Sequence, residues 1–195
     1  TIQALALFFL IRHFWDNLTG FLTAIFLIIS PIQYTAYWFM FFKNAFALPI
    51  MLSAFLLLER GSRFAVLFGA IVAFSHHTTS IIFLMTLAVF AVFNRERRNL
   101  ALYTFAGTFL PFFYLHYSSF QEYLNSPVAV FMEKGEYLLL SLPLLILALF
   151  GIKEFIFNQS RSVMAAFFVV TAAFPLLNLP FYERIFIFTD IAIII

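Results

Sequence analysis

One stretch of 30 residues, 64–93, limits the folds open to this chain more than any other. Two apolar runs flank a polar knot, Ser75-His76-His77-Thr78-Thr79. As one helix the stretch would measure ~45 Å, against ~30 Å for the hydrocarbon of a bilayer. Each half alone is short, 64–74 covering only ~17 Å as helix. The pattern predicts a hairpin of two short membrane helices whose tip carries two imidazoles at one membrane face.

The rest of the chain agrees with an apolar solvent. Of 195 residues, 64% are hydrophobic and 10% charged, whereas about a quarter of a soluble domain is charged. The expected fold is an all-α polytopic transmembrane helix bundle, one domain over 1–195. Cysteine is absent, which excludes a disulfide, a thiolate metal site and a cysteine nucleophile. The apolar composition makes the lipid bilayer the expected partner, and a net charge of +2 gives no footing for nucleic acid. Residue 1 is Thr, and 192–195 lie inside an apolar run. Both end segments read as cut, so the chain is expected to be a piece of a longer protein.

Nine apolar segments can be placed, at 2–11, 18–30, 44–58, 64–75, 78–93, 100–115, 137–152, 163–179 and 185–195. Several are shorter than the roughly 20 residues of a full span, which implies tilted or re-entrant helices. Pro49, Pro111, Pro143 and Pro175 fall inside segments. Each removes a helix hydrogen bond, tolerated where neighbouring helices cover the backbone. If the segments alternate, eight of the 11 basic residues share one side: Arg12, Arg60, Arg63, Arg95, Arg97, Arg98, Lys153 and Arg161. The positive-inside rule makes that side cytoplasmic. The other side then holds the His76-His77 tip, Lys43-Asn44, the polar stretch 116–136 and Glu183-Arg184, with Tyr34, Tyr37 and Trp38 suited to the headgroup zone.

Candidate chemistry lies on that outer face. Imidazoles can donate to a phosphate, and the helix N-terminus at Thr78-Thr79 adds backbone donors. Adjacent helical residues point about 100° apart, so His76 and His77 can face one ligand only if the tip is not helical. The alternative is a solvated polar turn. A metal reading would need a third ligand, for which His116 is the remaining outer-face candidate, and no metal site is assigned. Lys43 can meet a lipid phosphate as a point charge or simply snorkel to the interface. Asp190 stands in an otherwise apolar run, where an unpaired carboxylate costs at least ~2.5 kcal/mol. Glu183 lies seven residues earlier on the same helix face, beside Arg184. The functional reading puts Arg184 on a phosphate with Glu183 and Asp190 lining a polar cavity; the alternative is an ion pair that packs helices. Glu122, Glu133 and Glu136 read as solvated loop carboxylates. No catalytic residue is identified: the chain has no Gly-rich phosphate loop, Walker motif or HExxH.

The succession of features resembles the GT-C-fold membrane glycosyltransferases, polytopic enzymes that take sugar from a polyprenyl-phosphate carrier outside the cytoplasmic membrane. The matching stretches are 18–31, ending in Ser30-Pro31, then Lys43-Asn44 opening a long helix, the hairpin with Ser75-His76-His77-Thr78-Thr79, and Tyr182-Glu183-Arg184 before an apolar helix. The resemblance implies inverting transfer of a sugar from a polyprenyl-phosphate-linked donor. It also implies multi-pass residence in the cytoplasmic membrane with the active face outside, and donor-phosphate contacts at His76, His77 and Arg184. The family's base, or the ligand of its divalent cation, is an acidic residue on a loop after its first helix. No such loop is found here, so base and any cation would belong to residues outside this chain. Two alternatives stay open. The chain is also similar to envelope polysaccharide polymerases, which would want more outer arginines than Arg184. A transporter or structural subunit with a membrane-protein partner is the non-enzymatic reading.

Overall fold

The structure, a computed structural model, describes residues 2–38, 42–125, 133–159, 162–177, 179 and 182–194, with side chains for 2–36, 45–117, 133–149, 151, 162–177, 179 and 185–194. The described residues form an all-α bundle of ten helices. In chain order these are α1 (Ile2–Phe14), α2 (Asn17–Ile29), α3 (Pro31–Trp38), α4 (Phe42–Glu59), α5 (Phe64–Ser75), α6 (His77–Phe93), α7 (Arg98–Asn125), α8 (Lys134–Gln159), α9 (Val163–Leu176) and α10 (Tyr182–Ile194). Among them no helix is both long enough and apolar enough to cross a membrane.

The boundaries follow local chemistry. Asp16 is extended and caps α2, its Oδ1 accepting from the Thr19 N–H at 2.7 Å. Pro31 forces Ser30 out of the helical region and then opens α3 as its first residue. The Ser30 hydroxyl caps that helix, accepting from the Gln33 N–H at 3.3 Å. At the end of α4 the N–H groups of Gly61 and Ser62 bond back to Leu58 and Leu57, a Schellman closure. It needs a left-handed residue, and Gly61 supplies it at φ 70°. Ser162 caps α9 through the Ala165 N–H.

Phe55, Phe83 and Phe167 centre the core, joining α4, α6 and α9 with ring centroids 5.4 and 5.5 Å apart. α5 packs between α4 and α7, α6 against α7 and α9, and α10 against α9 and α8. The α5–α7 approach is close because Gly69 faces Thr104 and Thr108; a Cβ there would collide with the Thr108 hydroxyl. Many buried hydroxyls are satisfied within their own helices. Thr86, Thr104, Thr108, Ser141 and Thr171 each donate to the carbonyl four residues back. The outside is apolar as well: Phe21, Ile28, Leu110, Leu139 and Leu149 are exposed.

Candidate functional site

The bundle has two chemically different ends. The arginine end gathers the last turns of α1 and α4 and the starts of α7 and α9. There His13 feels the charges of Arg60 and Arg97, and Glu59 accepts from the Val163 N–H at 2.5 Å. Burial pushes the Glu59 carboxyl above its ordinary range, against the opposing pull of that hydrogen bond and of Arg97.

The histidine end is the candidate site. α5 and α6 are joined by His76 alone, whose backbone is extended at φ −162°, ψ 129°. The tip is therefore not helical at that residue, and the two imidazoles come together with centroids 4.7 Å apart. His116, from α7, adds a third ring 6.0 Å from His77. Two of the three rings also hold the hairpin. His76 Nδ1 accepts from the Thr79 N–H at 3.4 Å, capping α6. That leaves the proton of a neutral ring on Nε2. His116 Nε2 lies 2.8 Å from the Ala73 carbonyl and donates to it, closing the last turn of α5. His77 stands between them, half-buried. Among the described residues no three His, Asp or Glu side chains are arranged to hold a metal ion.

Asp190 is held elsewhere. It is fully buried, and its Oδ2 accepts from the Ser30 hydroxyl at 2.7 Å and from Gln33 Nε2 at 2.9 Å. Its Oδ1 has no hydrogen-bond partner among the described residues, and neither has the buried Tyr137 hydroxyl. The Tyr137 ring stacks on Phe186 at 4.1 Å, which brings α8 against α10. Asp190 makes no hydrogen bond to His76 or His77. Lys43, Glu183 and Arg184 fall on α4 and α10, but their side chains lie outside the described residues, as do those of Tyr37, Trp38, Glu122, Lys153 and Arg161.

Sequence reasoning did not find the partners of Asp190. Ser30 entered only as part of the Ser30-Pro31 stretch, and Gln33 and Tyr137 carry no local signal. His116 was weighed only as a third metal ligand, and its role in closing α5 depends on how α7 packs. Comparisons of the chain with protein-family models, with curated proteins and with solved structures gave no match.

Proposed function

We propose that this chain is the membrane-embedded part of a glycosyltransferase that moves sugar from a polyprenyl-phosphate donor, with the histidine end facing out of the cell and receiving the donor phosphate. The observation that carries the reading is the meeting of His76, His77 and His116 at one end of the bundle, while the arginines of α1, α4 and the α6–α7 turn gather at the other. Imidazole N–H groups grouped beside a helix N-terminus suit an anionic oxygen cluster. The exposed apolar side chains and locally bonded hydroxyls support residence in lipid, where backbone and hydroxyl groups must be satisfied internally. Short helices fit if they tilt, pair or thin the bilayer around them.

In this reading His76 and His77 hold the donor phosphate at the tip, while His76 and His116 also keep their capping bonds. Arg184 is assigned to the same phosphate by resemblance and Lys43 as a point charge, with Glu183 and Asp190 in the polar lining behind it. The chain's own residues bind and orient the donor, and the catalytic base is unassigned. A structural subunit is the competing reading, favoured by those capping bonds.

The test is donor binding to the intact protein in lipid nanodiscs, with a non-hydrolysable polyprenyl-phosphate sugar. His77→Ala and Arg184→Ala should each weaken binding about tenfold, the loss of one charge-assisted hydrogen bond, without lowering the melting temperature. Unchanged affinity in both variants would favour the structural subunit.

A further inference from the structure

We propose that the cleft between the last turns of α1 and α4 binds an anionic phospholipid from the leaflet around the arginine end, its phosphate between Arg12 and Arg60 and its acyl chain along α1. The proposal rests on the membrane reading above and not on the glycosyltransferase assignment.

The cleft has a volume of about 470 Å³. Arg12, His13 and Arg60 line it together with Phe9, Leu56 and the hydroxyl-bearing Ser53. The guanidinium groups of Arg12 and Arg60 make no hydrogen bond or ion pair among the described residues. No carboxylate lines the cleft, and Glu59 and Asp16 have bonds of their own, to the Val163 N–H and the Thr19 N–H. Partial burial, then Arg60 and Arg97, hold the His13 imidazole below its ordinary range. The second of these causes is positive charge beside the cleft, which an anion there would offset.

The two helices run toward this end side by side. On α1, Leu5 and Phe9 precede Arg12 at spacings of four and three and are 55% and 43% exposed. Across the cleft Leu56 precedes Arg60 by four residues. The cleft thus offers an apolar track along α1 that ends between two guanidinium groups. That is the shape of an acyl chain under a phosphate, and free phosphate would leave the track uncovered. Basic pockets between helices on the cytoplasmic side are where anionic headgroups are held.

The experiment uses the intact protein and vesicles of phosphatidylcholine with and without phosphatidylglycerol. Flotation with neutral vesicles is read first. A chain that does not float overturns the membrane reading and this proposal together. Given flotation, native mass spectrometry should show phosphatidylglycerol retained in preference to phosphatidylcholine. Arg12→Gln with Arg60→Gln should lower that preference about 25-fold, two factors of about five for two basic side chains at an anionic surface. Arg63→Gln with Arg95→Gln removes equal charge from the same end outside the cleft and should change it less than about threefold. Equal losses in the two pairs, or displacement of the lipid by millimolar inorganic phosphate, would overturn the proposal while leaving the membrane reading intact.

Discussion

The Ser30 hydroxyl donates a 2.7 Å hydrogen bond to Oδ2 of Asp190 across 160 residues of chain. Gln33 donates to the same oxygen and to the Ile187 carbonyl, both at 2.9 Å. The break between α2 and α3 is thereby tied to one turn of α10. A buried carboxylate is tolerable only when donors surround it, and here one helix junction supplies two.

Asp190→Ala would strand both donors and leave a small void, and is expected to cost about 2–4 kcal/mol. Asp190→Asn keeps an oxygen for Ser30 and Gln33 and should cost under about 1 kcal/mol. Denaturant unfolding of the detergent-solubilised protein measures both. Equal losses would mean that the charge, not the hydrogen-bond geometry, holds the junction.

His116→Ala removes the donor to the Ala73 carbonyl and should destabilise by about 1 kcal/mol. His116→Gln keeps an N–H for that carbonyl and should cost less. Equal losses in melting temperature would mean that the bond to Ala73 contributes nothing to stability.

Close packing predicts the glycine variants. Gly69→Val must push α5 away from Thr108 and should cost about 1–3 kcal/mol. Gly61→Ala puts a side chain at positive φ and onto the Arg97 guanidinium, at about 1–2 kcal/mol for the backbone alone. Gly135→Ala has nothing within 4 Å and should stay within about 0.5 kcal/mol of wild type. A melting series orders the three.

Glu59 makes stability depend on pH in a definite direction. Its carboxyl is raised from the ordinary 4.5, so on raising the pH the unfolded chain loses this proton first. The fold loses stability between pH 4.5 and the higher folded value, and the penalty persists above it. Glu59→Gln keeps an acceptor for the Val163 N–H and cannot ionise. It should flatten that part of the stability curve and match or exceed wild type at pH 7. A variant that keeps the wild-type slope would place the titrating group elsewhere.

Hydropathy located the helices of this chain because an apolar run is a local property. Phe64–Ser75 and the break at His76 were legible from the polar knot, and most of α2 from the apolar segment 18–30. Helices made of polar residues were not legible in the same way. α3, with Gln33, Tyr34 and Thr35, falls between the apolar segments 18–30 and 44–58. α7 was expected to stop at 115 and runs on to Asn125, because Gln and Glu sustain a helix that hydropathy does not register.

The sequence by itself determined an apolar helical chain with a tip bearing two adjacent histidines. Only the tertiary structure decided that His116 would join that tip from 39 residues further on, and that Asp190 would meet Ser30 and Gln33. Helical periodicity fixes which face a side chain occupies. Which helix lies opposite that face is settled by how whole surfaces fit, as at Gly69 against Thr108, and no local pattern carries that information.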